Sequence, residues 1–364
     1  AEFVIKRKNF LLFSTATLVV VLIFGITKIS LEDDFLRYFD EKYELRQSID
    51  YYEENFGGLN ALEYSVNSGI ENGINNPEYL QKVSDLVEFM RIQPEVTSVR
   101  SYTDVVKRLN QNFNNDNASF YKIPTTELEA AQYLFLYELS LGYGLDLTDQ
   151  INVNKSALRV TANVANATTK EFLNLDKRIQ GWFAENAPEL MTKSTGPSQV
   201  FSQISSRDVP AMLKGTGLAL IGISFIILLV IRNIKYGLMS LIPNLLPAAM
   251  AFGLWGYYTG AVTLAVSIVV AMTLGIVVDD SVHFMLKYAK ARKKGKTPED
   301  SVREAFQKVG MALTTTTIGL FLGFCVLAQS GFAVNKDMAQ LTAITVVFAL
   351  VVDYLLLPPV LIWI

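Results

Sequence analysis

Two adjacent carboxylates, Asp279 and Asp280, sit in a stretch from Ala261 to Leu286 that is otherwise almost wholly apolar. The only histidine of the chain, His283, follows one helical turn later. Carboxylates are rare inside membrane spans, because a charged and unpaired one is costly there, and those present usually serve a function. On a helix of about 3.6 residues per turn, neighbouring residues point about 100° apart. The two aspartates therefore cannot both face lipid. Burial disfavours the ionised form of a carboxyl, and a like charge beside it disfavours that form further. Such a pair can take up and release a proton near neutral pH. His283 stacks one turn beyond both aspartates, and imidazole titrates in the range needed to pass a proton on. The alternative for His283 is an interfacial residue satisfied by water. The alternative for the aspartates is a static ion pair, but no Lys or Arg lies near mid-depth in the other apolar stretches.

Further polar residues interrupt the apolar blocks. Asp353 precedes Pro358-Pro359 and falls at a depth not far from the aspartate pair. It either completes a polar cluster or snorkels toward the membrane surface. The run Thr314–Thr317, with Thr315 and Thr316 at its centre, can hydrogen-bond across helices or to a protonated carboxyl. Such threonines more often bond the carbonyl four residues back on their own helix. Pro243-Asn244 and Pro247 are expected to break the start of one apolar block, and Gly253 and Gly256 suit close helix packing.

The elements that must position these residues are membrane helices. Half of the 364 residues are hydrophobic, and they come in blocks of bilayer-spanning length. The blocks run from Phe10 to Ile26 and over about 211–231, 238–257, 262–286, 309–328 and 338–361. Lys6-Arg7-Lys8 flanks the first block, Arg232 and Lys235 follow the second, and Lys287 to Lys296 follow the aspartate block. The positive-inside rule puts all three groups, and both chain ends, in the cytoplasm. Thr297-Pro298-Glu-Asp300 is a helix-start signal. Val302, Ala305, Phe306 and Val309 then give an amphipathic helix near 297–308, expected to lie along the inner membrane surface.

Residues 29–208 are hydrophilic and fall outside. Strands are expected at Ala61–Asn67, Val96–Tyr102, Leu158–Val164 (half-buried) and Met191–Thr195. Helices are expected from Asn76-Pro77, near Asp104–Asn110, over Thr126–Leu141, and from a Thr169 cap to about Asn186. Two strand-helix-strand units around a helical insert commonly make a ferredoxin-like sheet. The fold class is thus a membrane α-helical bundle of six spans with an α+β ferredoxin-like domain inserted between the first two. Its segments are 1–28, 29–208 and 209–364.

The single cysteine, Cys325, lies in an apolar block, so no disulfide framework is possible. No Cys/His metal cluster, Walker-type glycine loop or Gly-x-Ser-x-Gly elbow is present. With no nucleophile–base or metal constellation, an enzyme is not expected, nor is a cofactor, a metal or a nucleic-acid partner.

Several stretches, taken with this order of elements, resemble the resistance-nodulation-division (RND) superfamily. They are Asp34-Phe-Leu-Arg-Tyr-Phe-Asp40, Gln150-Ile-Asn-Val-Asn-Lys-Ser156, Leu241-Ile-Pro-Asn-Leu-Leu-Pro247 and Gly275–Phe284. The resemblance is to the bacterial predicted-exporter branch, related to the MMPL lipid exporters and Patched-like proteins, and to the C-terminal half of a two-repeat chain. It implies that the hydrophilic segment is a porter domain. It also implies that Asp279 and Asp280, after Gly275, carry protons, with His283 and Asp353 as further relay candidates and Thr315, Thr316 and Asn244 in support. Such proteins have twelve spans in two repeats. A second half-repeat is therefore expected, from the same polypeptide or from a partner chain. The implied function is a proton-motive-force-driven transporter of a hydrophobic or amphiphilic substrate, a lipid foremost, in the bacterial inner membrane. A periplasmic carrier protein is a further candidate partner. The alternatives are a lipid-sensing or scaffolding membrane protein and a SecDF-like proton-driven motor.

Overall fold

The computed structural model describes residues 1–31, 35–165, 167–231 and 234–363. Asp34 and Arg232 lie outside the described residues. The chain forms two compact units, Ala1–Glu41 with Ser205–Ile364, and Lys42–Ile204. Among the described residues, six helices are long and apolar enough to cross a membrane: Lys8–Lys28, Pro197–Leu229, Lys235–Tyr258, Ala265–Lys293, Pro298–Leu327 and Ala333–Trp363.

Taken in chain order, α1 (Lys8–Phe24) is built from Leu, Val, Ile and Phe, with no proline and no charge after Lys8. It ends in a 3-10 turn at Gly25–Lys28. Ser30–Leu31 then pairs in parallel with Ala261–Val262.

The hydrophilic unit follows. It comprises α2 (Glu44–Phe56), β1 (Asn60–Asn67), α3 (Pro77–Arg91), β2 (Val96–Arg100), α4 (Tyr102–Phe113), α5 (Glu127–Ser140), β3 (Ala157–Val164) and α6 (Thr169–Asn186). β3 is central and antiparallel to both neighbours, so the sheet order is β1-β3-β2. Leu62, Tyr64 and Val66 alternate along β1 with polar residues, as do Leu158, Val160 and Ala162 along β3. That period of two turns one sheet face toward the buried sides of α3 (Leu80, Val83, Met90) and α6 (Phe172, Leu175, Ile179). Asn76 caps α3 through its side chain, with Pro77 in the first turn.

Four expectations need correction here. β2 stops at Arg100, because the Ser101 hydroxyl accepts the Thr103 amide and starts α4 at Tyr102. β3 is not half-buried: as the central strand it also buries Thr161 and Asn163, and Asn163 donates to the Ser98 hydroxyl at 3.1 Å. Only Arg159 stays exposed on it, paired with Glu63. The strand expected at Met191–Thr195 shrinks to one antiparallel bridge between Thr195 and Glu63, because Gly196 turns the chain through a φ of 111° and Pro197 opens the next helix. The cap of α6 is Thr168, one residue before the expected Thr169.

The remaining helices are α7 (Pro197–Ile231), α8 (Leu241–Tyr258), α9 (Leu264–Lys293), α10 (Pro298–Ala305), α11 (Met311–Leu327), α12 (Ala333–Val351) and α13 (Leu357–Trp363). α8 is not broken at its start. Pro243 sits in the first turn, where no intrahelical donor is lost, and the chain turns earlier, at Ser240. Gly25 packs against Gly253 and Gly256, and a Cβ on any of the three would strike backbone of the facing helix. α1 and α8 thus meet backbone to backbone.

The apolar face of α10 is not spent on the membrane surface. Val302 and Ala305 are fully buried in one cluster with Phe284, Met285 and Tyr288 of α9 and Leu357 and Leu361 of α13. A π turn, Phe306–Gly310, carries α10 directly into α11.

Candidate functional site

α9 starts at a Thr263 cap, whose hydroxyl accepts the Val266 amide at 3.3 Å, and ends in Lys290, Arg292 and Lys293. Its two sides differ. Val277, Ser281, Phe284 and Tyr288 are buried, whereas Met272, Gly275, Asp279 and His283 are exposed. The helical period therefore splits the adjacent aspartates, Asp279 outward and Asp280 to the half-buried boundary.

On the exposed side, His283 Nε2 lies 3.3 Å from Asp279 Oδ1, with 55% and 72% of the two side chains exposed. A Cβ at Gly275 would meet nothing within 4 Å. This is an open polar stripe on a membrane-length helix.

On the buried side, Ser281 Oγ donates to Asp353 Oδ1 at 2.9 Å. Both residues are essentially inaccessible, at 0% and 1% exposure. Of the two expected arrangements, Asp353 takes the polar cluster and does not snorkel.

Asp353 sits in a second π turn, Val352–Leu356, where the Leu357 amide reaches back to the Val352 carbonyl. The cause is local: Pro358 and Pro359 have no N–H to give the preceding turn. The next residue, Tyr354, places its hydroxyl 2.9 Å from Thr314 Oγ1 and donates to the Gly310 carbonyl. Single π turns of this kind are frequent at functional positions.

The supporting residues are scattered. Thr315 and Thr316 are exposed and donate to their own Met311 and Ala312 carbonyls at 2.9 and 3.1 Å. Neither reaches a carboxylate. Asn244 is 2% exposed, and among the described residues neither polar atom of its amide has a hydrogen-bond partner. Sequence reasoning missed Ser281 and Tyr354. The only signal for either was a position beside an aspartate already singled out.

The sequence profile of the MMPL family matches residues 147–364, which include every residue of this site. The chain belongs to the MMPL family, within the RND superfamily. Members of the MMPL family are transporters, and the six apolar helices make this one a multi-pass membrane protein. The chain is similar to MJ1562 of Methanocaldococcus jannaschii, whose name describes it as a membrane protein. The two are 22% identical over 313 residues, 84% of this chain and 77% of the relative. The relative is therefore not much longer than the aligned region.

Proposed function

We propose that this MMPL protein is a proton-driven secondary transporter, with Asp279, Asp280 and Asp353 as its proton-carrying groups. The observation that carries this reading is the fully buried Asp353, held by Ser281 on the helix that bears the aspartate pair. Among the described residues no Lys or Arg pairs with any of these three carboxylates. An unpaired charge in such a place is costly, whereas a protonated carboxyl there is tolerable. A site that gains and loses one proton moves between a stable and a strained state, which can drive a conformational cycle.

The substrate we propose is hydrophobic or amphiphilic, a lipid foremost. Support comes from a cleft of about 900 Å³ in the hydrophilic unit, of mixed lining suited to an amphiphile: Leu141, Leu147 and Ile151 stand beside Glu138, Asp146 and Lys155. In this reading that unit is a porter domain outside the cytoplasmic membrane. The basic ends of α1 and α9 lie inside by the positive-inside rule. A second six-span bundle covers the open Asp279–His283 stripe, because exposed charge facing lipid is too costly to persist.

The test is proton-coupled flux in proteoliposomes. Asp280→Asn and Asp353→Asn keep the shape of each side chain and remove its titration. Each is expected to lower proton-driven lipid movement by about 10²-fold, the scale of a lost proton-transfer group, while the protein still inserts and folds. Flux at the native rate in both variants would assign the carboxylates to structure alone.

A further inference from the structure

Away from the carboxylates, three helices of the membrane unit leave a gap. α8 and α11 each pack on α12, and near one end of the bundle they frame a pocket of about 390 Å³ over it. Trp255 and Tyr258 of α8 line one side, Phe321 and Cys325 of α11 the other, and Ala343 and Ile344 of α12 the floor. The size is that of a small-molecule site. The α8 wall is fixed: Trp255 is 2% exposed, its Nε1 donates to the Ala261 carbonyl at 2.9 Å, and its ring lies 6.3 Å from that of Tyr258.

One lining group is out of keeping with the rest. Gln340 enters the same pocket from α12, about two turns, or ~10 Å, below the start of that helix at Ala333. Thr342 and Thr345 on the same helix satisfy themselves, donating to the carbonyls of Met338 and Leu341, both at 2.7 Å. Among the described residues, none hydrogen-bonds the Gln340 side chain. An amide left unpaired in hydrocarbon is costly, so its partner comes from outside the chain.

Place and chemistry together name that partner. The helix ends that frame the pocket, Tyr258, Leu327 and Ala333, lie at the opposite end of the bundle from the basic end of α9, because Tyr258 leads directly into the start of α9. A bilayer carries roughly 6 Å of headgroup on each side of its hydrocarbon. At its depth Gln340 lies just below that layer, where the ester carbonyls of lipids meet their chains. An ester carbonyl only accepts hydrogen bonds, and the Gln340 amide has two N–H groups to give.

We propose that this pocket holds one acyl chain of an ester-linked lipid, with Gln340 donating to the ester carbonyl at the head of that chain. Binding here requires neither proton coupling nor the cleft of the hydrophilic unit. Only the assignment to the outer leaflet rests on the topology proposed above.

The test uses the full chain in detergent micelles with a trace of diacyl phosphatidylglycerol whose chain carries a photoreactive diazirine. Labelled residues are located by mass spectrometry, and label on the exposed Phe13 of α1 reports lipid that merely surrounds the protein. Label is expected to concentrate on Phe321, Cys325 and Ile344 over Phe13. Unlabelled diacyl lipid is expected to displace it at about 5-fold lower mole fraction than the diether lipid of the same headgroup and chain length, the scale of one hydrogen bond. Gln340→Leu, which keeps the bulk, is expected to make the two competitors equal. Ala343→Phe, which fills the floor, is expected to clear the pocket of label and leave Phe13 labelled. Native label spread evenly over the pocket and Phe13 overturns the site as surrounding lipid only. Native label absent from the pocket also overturns it, as when a second bundle covers that face. Equal competition by the two lipids in the native chain, an ester preference that survives Gln340→Leu, or pocket label that persists in Ala343→Phe overturns it as well.

Discussion

At the residue scale, the site depends on which way each side chain points. Asp279 and Asp280 are neighbours in the chain yet differ in exposure, Asp279 pointing outward from α9 and Asp280 lying at its half-buried boundary. That much was legible, because the helical period fixes their angle. The partner of Ser281 was not, since Asp353 lies 72 residues beyond it and only packing brings them together. Thr315 and Thr316 fail to reach the site because a threonine on a helix has an acceptor one turn back at no conformational expense. The glycine seam was legible as close packing and leads to a firm expectation. Gly253→Ala drives a methyl into the backbone of α1 at Leu22. Overpacking of this kind costs about 1–3 kcal/mol. The variant should unfold at a lower temperature in a detergent melt, whereas Gly275→Ala, which meets nothing, should match the native protein.

At the element scale, the clearest local signals held and the tertiary ones shifted. Helix starts at Asn76-Pro77 and Thr297-Pro298 come from chemistry within four residues, and the structure keeps both. The burial of β3 and the docking of α10 depend on neighbours distant in sequence, and those neighbours overrode the local pattern. The α6 capping box is a local device with a pH signature. The Thr168 amide and hydroxyl both donate to the Glu171 carboxylate, at 3.0 and 2.9 Å, and hold its pKa below the ordinary glutamate value. A depressed folded value means that this contribution is present above the unfolded pKa. It is lost as pH falls through the lowered folded one. The protection factor of the amides in the first turns of α6, their exchange rate relative to an unstructured chain at the same pH, should therefore fall on acidification. Thr168→Ala should lower it at neutral pH by removing about 1 kcal/mol of capping. Equal exchange in both proteins at every pH would leave the box without a stabilising role.

At the scale of the whole molecule, the question is which surfaces meet water, lipid and a second bundle. With Cys325 replaced by serine, single cysteines at Asn115 and at Lys294 should label from opposite sides of intact membranes, since the first lies in the hydrophilic unit and the second at the basic end of α9. Labelling of both from one side would invert the proposed topology. In the same background, Gly275→Cys should form a cross-link under oxidation if a second bundle covers the open stripe of α9. A purified chain that never cross-links there, yet moves protons, would show that one bundle suffices. The two ends of the membrane unit also meet: Trp363 Nε1 donates to Asn9 Oδ1 at 3.1 Å, and Arg303 beside them pairs with Glu2 at 2.6 Å. In the proposed topology six crossings bring Glu2 and Trp363 to one face of the membrane. Two copies read in frame from one tandemly duplicated gene would therefore enter the bilayer with the same orientation and their aspartates at matching depth, with no inversion needed. A fold with this property can acquire its twin by a single genetic accident.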